Sequence, residues 1–262
     1  MRYRDIMAGA VKSVSVVVPT YNEEKNIGKC LSALNGQSLP RKEFEVIVVD
    51  GGSKDRTVKI AKGLGARVGH QASKGVGGAR NDGVAASKSR LIATTDADCV
   101  PCDRWLENIV ARFDEDNEIV ALTGPLNPLL VEDMGRMEGY AYRALFGLCN
   151  MGAYPAASLL ANYAGVGYTH LCGANSAFRR YTFEKIGGYS DLPNADDLEI
   201  SKRLKPLGKI VFDKKIPVDY SVRRICKVGL PNYVMSCLET EFDVMVMRRK
   251  DIPDNYAKQD YG

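Results

Sequence analysis

Thr94-Thr95-Asp96-Ala97-Asp98 decides how this chain is read. The apolar run Leu91-Ile92-Ala93 leads into it, so both carboxylates fall where a buried strand ends and a loop begins. In open α/β sheets that carboxyl edge is where ligands bind. Two aspartates one residue apart can lean toward a single hard cation, whose shell phosphate oxygens commonly complete. The stretch therefore predicts a phosphate-bearing substrate held through a divalent metal, with a plain solvated acidic loop as the alternative.

Outward from this point the chain alternates strands and helices. Upstream, Ser13-Val14-Ser15-Val16-Val17-Val18 is a β-branched run that reads as a central parallel strand ended by Pro19. Asn22-Glu23-Glu24 then reads as a helix start, with Ile27, Leu31 and Leu34 at helical spacing and Gly36 as a stop. A second strand, Phe44-Glu45-Val46-Ile47-Val48-Val49, ends at Asp50, and Gly51-Gly52-Ser53 turns into a helix with an acidic start at Asp55. Residues 66–68 read as a third strand, 76–87 as a small-residue helix, 91–95 as a fourth strand, 105–113 as a helix and 119–123 as a fifth strand. This order predicts an α/β fold with a right-handed parallel arrangement.

A chain of 262 residues with 45% hydrophobic content can bury a sizeable core. The formal net charge of +4 is too small to argue for nucleic acid. The charge is uneven, however: residues 201–230 hold Lys202, Arg203, Lys205, Lys209, Lys214, Lys215, Arg223, Arg224 and Lys227 against Asp213 and Asp219. Such a surface suits phosphates or an anionic membrane face, or is simply a solvated face. Seven scattered cysteines, and a start with arginines but no apolar segment, predict a reducing, cytoplasmic setting. Cys99-Val100-Pro101-Cys102 has redox or zinc spacing but no second pair, and is expected only to turn the chain. Gly75-Val76-Gly77-Gly78 is not a dinucleotide fingerprint, because those glycines belong after the first strand, where Pro19-Thr20-Tyr21-Asn22-Glu23 stands instead.

Four motifs at the ends of successive elements resemble glycosyltransferase family 2: Val18-Pro19-Thr20-Tyr21-Asn22-Glu23-Glu24, Val49-Asp50-Gly51-Gly52-Ser53-Lys54-Asp55-Arg56-Thr57, Lys74-Gly75-Val76-Gly77-Gly78-Ala79-Arg80-Asn81 and Thr95-Asp96-Ala97-Asp98. The resemblance continues through Cys172-Gly173-Ala174-Asn175-Ser176-Ala177-Phe178-Arg179-Arg180, Ile186-Gly187-Gly188-Tyr189 and Ala195-Asp196-Asp197-Leu198-Glu199. It implies a GT-A fold: a Rossmann-like, mostly parallel sheet flanked by helices, with a mixed acceptor half and a C-terminal helical extension. It further implies a nucleotide-sugar donor, a divalent ion (Mn or Mg) and inversion at the sugar carbon.

Carried over residue by residue, the resemblance gives the nucleotide Pro19, Thr20, Tyr21, Glu23, Asp50 and Ser53, the diphosphate Lys74 and Arg80, the ribose or metal Asp96, and the metal Asp98. The residue types suit these tasks. A carboxylate at Asp50 can accept a base N–H, as uracil and guanine offer, although a plain turn residue explains it equally. Arg80 can fork onto diphosphate oxygens, or stand exposed on its helix. Asp196-Asp197 matches the family's acidic pair, usually Glu-Asp, which makes Asp197 the expected base with Asp196 beside it. An acid-decorated helix start is the alternative. Arg223-Arg224 sits where many relatives carry Gln-x-x-Arg-Trp; its absence argues against processive polymer synthesis, while the arginines can still hold a phosphate.

Residues 144–178 contain no Lys, Arg, Asp or Glu, but glycines, asparagines and Pro155 break any span of about 20 apolar residues. Two short helices are expected, over the acceptor site or on a membrane. Residues 233–247 align Val234, Leu238, Phe242 and Met245 before Arg248-Arg249-Lys250, a layout for a membrane surface or for docking on the domain. The expected division is a nucleotide half over 1–124, an acceptor half over 125–224 and a helical extension over 225–262. The expected donor is a UDP-sugar, with GDP-mannose second. The acceptor is lipid-linked, such as a polyprenyl phosphate or lipid-linked saccharide, or else a soluble saccharide or protein. A peripheral place at the cytoplasmic membrane face follows from the lipid acceptor. A noncatalytic nucleotide-sugar-binding protein and a sugar nucleotidyltransferase are the competing classes.

Overall fold

The computed structural model describes residues 12–129, 136–148, 171–192, 196–229, 231–233 and 235. In chain order the elements are β1 (Val14–Thr20), α1 (Ile27–Asn35), β2 (Phe44–Asp50), α2 (Thr57–Gly63), β3 (Arg67–His70), α3 (Gly75–Ala86), β4 (Leu91–Thr94), β5 (Cys99–Pro101), α4 (Trp105–Glu115), β6 (Ile119–Thr123), β7 (Leu126–Leu129) and α5 (Arg136–Leu148). They continue with β8 (Ser176–Arg179), α6 (Arg180–Lys185), α7 (Asp196–Leu204), β9 (Lys209–Phe212), β10 (Val218–Ser221) and α8 (Arg223–Val228).

Seven strands form one sheet in the order β3-β2-β1-β4-β8-β6-β9, and β5, β10 and β7 form a smaller one. The large sheet is mostly parallel, as expected. β8, which the sequence reading did not place, runs antiparallel between β4 and β6. Both faces are covered, which is why β1 is apolar without alternation. Val14, Val16 and Val18 face one core with Ile27, Leu31, Trp105 and Phe113. Val17 faces the other with Ala79, Val84, Phe178 and Leu204.

Register sets the functional edge. Thr20 of β1 lies beside Asp50 of β2, and Val17 beside Thr94 of β4. Because β8 is antiparallel, its first residue, Ser176, pairs with Thr94 at the same edge. The loop before β8 is thereby delivered beside the carboxylates that follow β4. Buried Asn175 holds that loop: its Oδ1 accepts the Trp105 indole N–H (2.9 Å), and its Nδ2 donates to the carbonyls of Ile216 (2.8 Å) and Pro125 (3.2 Å).

Two local expectations are corrected. The helix expected from Asn22 begins only at Ile27; residues 22–26 form a turn because Asn22 takes a positive φ of 51°, outside the helical region. Cys99-Val100-Pro101 is not a bare turn but strand β5, paired antiparallel with β10. Its cysteines carry no bridge, since both Cys99 and Cys102 are free thiols.

α5 covers the first part of the uncharged stretch and stacks Phe146 on Tyr220 of β10, with ring centroids 6.4 Å apart. Tyr142 of α5 joins Val222 and Ile225 in a small core that seats α8. Residues 149–170, the tail, and all of the 233–247 helix but Tyr233 and Met235 lie outside the described residues. Among the described residues no helix is long and apolar enough to cross a membrane.

Asn175→Ala should strand the Trp105 indole N–H and the Ile216 carbonyl at once, while the Pro125 carbonyl keeps the Val218 N–H (3.0 Å). The expected loss is about 2–4 kcal/mol of unfolding free energy in a urea titration, since each unsatisfied buried group costs roughly 1–3 kcal/mol.

Candidate active site

At the edge formed by β1 and β2, short polar side chains tie two turns together. Ser53 Oγ accepts the N–H of Asn22 (2.9 Å), Thr57 Oγ1 that of Glu23 (2.7 Å), and Asp55 that of Glu24 (3.0 Å). Asp50 is buried, and its carboxylate accepts from the N–H of Gly52 and Ser53 (both 3.0 Å) and from the Ser53 hydroxyl (2.5 Å). The turn role foreseen as the plain alternative for Asp50 is therefore realised, and it leaves a carboxylate fixed at the rim. Pro19 and Thr20 end β1 there, and the Thr20 hydroxyl is buried without a hydrogen-bond partner, as is that of Thr95. Lys74 stands exposed at the start of α3.

The acidic residues gather one strand further on, and each aspartate of Asp96-Ala97-Asp98 meets a different arginine. Arg80, on α3, is 3% exposed and forks between Asp96 (2.9 Å) and Asp196 (3.0 Å). Its guanidinium also lies 5.5 Å from the centre of the Tyr189 ring. The exposed position allowed for Arg80 is thus overturned. Burial opposes its charge, but Asp96 and Asp196 outweigh burial and hold it above the ordinary arginine pKa. The glycines of the flanking motifs make room for this contact: a Cβ on Gly173 would lie 2.5 Å from the guanidinium, and one on Gly77 would lie 2.9 Å from Asp196 Oδ2.

Asp98 meets Arg223 instead, with Nε 3.3 Å from Oδ2, and the same guanidinium grips Glu23, which comes from 200 residues away in the chain. Burial first, then the neighbouring Asp96, push the Asp98 carboxyl up to about 7, against the pull of Arg223. Asp196 is raised as well, by burial and then by Asp197 and Asp96, with Arg80 opposing. Asp197 is less buried than Asp196; its Oδ2 accepts the Gly173 N–H (3.4 Å) and its Oδ1 the Leu198 N–H (2.9 Å).

Asp96, Asp98 and Cys99 can bring one ligand atom each within 4.8 Å of one another. The Cys99 thiol is raised well above its ordinary pKa, by burial and then by Asp98 and Asp96, and stands 3.8 Å from Asp98 Oδ1. The two carboxylates supply hard oxygen donors, which fit a Mn or Mg ion. A cleft of about 320 Å³ opens beside Arg223, between Asn22, Glu24 and Lys54. A more open groove of about 560 Å³ near Cys102, Lys214 and Lys215 contains none of these carboxylates.

Of the sequence-predicted residues, Glu23, Arg80, Asp96, Asp98, Asp196, Asp197 and Arg223 form this linked cluster, and Asp50 and Ser53 form its rim. Tyr21 lies in the turn between them, and the Arg224 side chain lies outside the described residues. Tyr189, Gly173 and Cys99 were not foreseen as parts of the site; only their presence in or beside the quoted motifs could have pointed to them. Part of the basic surface is committed to structure. Arg203 pairs with Glu199 and donates to the carbonyls of Ile186 and Gly188, and Lys209 pairs with Asp116 and Glu118.

A model of the family described as Glycosyl transferase family 2 matches residues 15–187. Glycosyltransferase AglE of Haloferax volcanii is 38% identical over 113 residues, which are 41% of this chain and 37% of that protein. The chain matches less than half the length of the curated relatives it resembles. Staphylococcus aureus TarS residues 1–349, in complex with UDP-GlcNAc, superposes with a TM-score of 0.62 at 22% identity, over 80% of this chain and 58% of that one. The mannosyltransferase PcManGT from Pyrobaculum calidifontis, in complex with GDP-Man and Mn2+, gives 0.59 at 20% identity, over 87% and 65%.

A carboxyl whose pKa is raised by folding binds its proton more tightly in the native chain than in the unfolded one. Between about 4 and about 7, stability therefore falls as pH rises through the Asp98 window. Asp98→Asn removes that penalty. In chelator it should unfold at a higher temperature than the wild type at pH 8, with the difference shrinking as the pH falls and vanishing near pH 4.

Proposed function

Because this chain belongs to glycosyltransferase family 2, with a GT-A fold, we propose that it transfers a sugar, with inversion, from a nucleotide-diphosphate sugar to an acceptor, using Asp96 and Asp98 to hold a Mn or Mg ion and Asp197 as the base. The observation that carries this reading is the convergence of Asp96, Asp98, Asp196 and Asp197 with two arginines at the carboxyl edge of the sheet. When bound, the ion would neutralise the diphosphate leaving group.

The remaining tasks fall to the chain itself. Asp50, Tyr21 and the turn of Pro19, Thr20 and Glu23 would receive the nucleoside, with Ser53 keeping Asp50 in place. Arg223, paired with Glu23 and Asp98 but still 20% exposed, and the exposed Lys74 would meet the diphosphate. Arg80, already paired twice and sealed from water, is better suited to holding Asp96 and Asp196 than to receiving phosphate. Asp196 is buried and hydrogen-bonded to Arg80 while Asp197 is less buried, which supports Asp197 as the base.

A UDP-sugar is the preferred donor and GDP-mannose the alternative; the complexes of TarS and PcManGT lend support to each. The acceptor half over 125–224 and the extension over 225–262 would receive a lipid-linked acceptor at a membrane surface. The uncharged stretch supports this reading, and Lys214 and Lys215 remain exposed for an anionic face. A soluble acceptor is the second reading, favoured by the commitment of Arg203 and Lys209 to ion pairs.

Asp98→Ala should weaken binding of UDP or GDP in Mn2+, measured by calorimetry, and leave binding in chelator unchanged. Equal loss in both would remove Asp98 from the metal site. Asp197→Asn keeps the side-chain shape and removes the proton acceptor. Transfer to a hydroxyl should fall roughly a hundredfold to ten-thousandfold while donor affinity survives. If Asp196→Asn is the sensitive change, the roles of the pair are reversed; if neither matters, the nucleophile is an already ionised phosphate.

A further inference from the structure

Arg223 occupies the place where a cation is needed. Its Nε lies 3.3 Å from Asp98 Oδ2, and its other arm holds Glu23, so one guanidinium balances two of the acids at this edge. The same Asp98 carboxylate would ligate a divalent ion. A fixed guanidinium and a doubly charged ion sharing one carboxylate repel each other strongly at such range, even at the moderate effective dielectric of a protein edge. Arg223 is the first residue of the short helix α8, its side chain keeps 20% of its exposure, and it lines the cleft beside the β1 turn. It can therefore change partner without unpacking the core beneath it, which is made by Val222 and Ile225. A guanidinium released from carboxylates is well matched to two phosphate oxygens.

We infer that Arg223 is a stand-in counter-ion: it neutralises Asp98 and Glu23 before loading, then yields Asp98 to the divalent ion and takes up the diphosphate. This deepens the donor and metal reading of the same site and rests on it. Its consequence is ordered, mutually dependent loading. Metal alone must displace Arg223 from Asp98 and leave it Glu23 as its one partner there, nucleotide alone can draw Arg223 away only by leaving Asp98 without its counter-ion, and the two together supply a partner for each. Coupling of this kind is reciprocal, so the factor by which nucleotide improves metal binding equals the factor by which metal improves nucleotide binding.

The test follows free Mn2+ by its paramagnetic resonance signal, with the full chain alone and with UDP or GDP, in wild type and in Arg223→Gln. The wild type should bind Mn2+ weakly alone and about tenfold or more tightly with nucleotide. In Arg223→Gln, Mn2+ alone should bind several-fold more tightly than in wild type, the gain from nucleotide should shrink, and nucleotide affinity in chelator should fall. Changes of opposite sign cannot come from a damaged fold, which would lower both affinities. If the variant does not fold, the wild type decides: equal Mn2+ affinity with and without nucleotide overturns the inference while leaving the metal site standing. An unchanged or weaker affinity for Mn2+ alone in a folded Arg223→Gln overturns it too. No Mn2+ binding under any condition sinks the metal reading and this inference with it.

Discussion

Arg80 lies 2.9 Å from Asp96 and 3.0 Å from Asp196 with almost no exposure to water, and the geometry of the cleft depends on that contact. It joins three distant pieces of chain: helix α3, the loop after β4 and the start of α7. Removing one partner of such a buried pair is strongly destabilising, about 3–5 kcal/mol, because the surviving charge cannot be solvated. The local sequence is shaped around it. Gly77 and Gly173 approach so closely that a side chain on the latter would overlap the guanidinium, and Tyr189 presents its ring to the same group.

The contact leaves a charge imbalance. Glu23, Asp96, Asp98, Asp196 and Asp197 are five acids near one edge, and Arg80 and Arg223 are the two arginines paired within it. Burial first, and the neighbouring carboxylates after it, raise the pKa values of Asp98 and Asp196 against the pull of the arginines. A diphosphate approaching this surface would meet repulsion unless further positive charge came with it. On the proposed reading, metal dependence is thus a property of the whole cluster, and the Asp-x-Asp pair is its most visible part.

How far the sequence could be read depended on whether a feature was local. Strands with continuous valine and isoleucine, such as β1 and β2, and the placement of Asp96 and Asp98 after β4 follow from short-range pattern, and all lie where the pattern put them. The order of motifs brought Glu23, Arg80, Asp98, Asp197 and Arg223 together on one list; their pairing was not readable. Nothing in the sequence links Glu23 to Arg223 across 200 residues, and that contact exists because Tyr142, Val222 and Ile225 seat α8 against α5. β8 escaped notice because Ser176-Ala177-Phe178-Arg179 is short and follows a long uncharged stretch. Its antiparallel course depends on β4 and β6, which lie far away in sequence. Cys99-Val100-Pro101-Cys102 misled in the same way, since three residues become a strand only when β10 is there to pair with them.

The two aspartates that open α7 show how one helix turn separates roles. Successive residues on a helix point about 100° apart, given 3.6 residues per turn. If Asp196 is turned inward to Arg80, Asp197 must face elsewhere, and it faces the N–H of Gly173 on the loop before β8. The resemblance of the motif implies glutamate at the first of these positions, where this chain has Asp196. Here the backbone of α3 comes in at Gly77, so closely that a Cβ there would lie 2.9 Å from Asp196 Oδ2, and the shorter acid already reaches Arg80. An extra methylene would have to displace either the guanidinium or α3. The departure at Asp196 is therefore matched by a close approach of helix and loop, and the second acid is left the more exposed of the two.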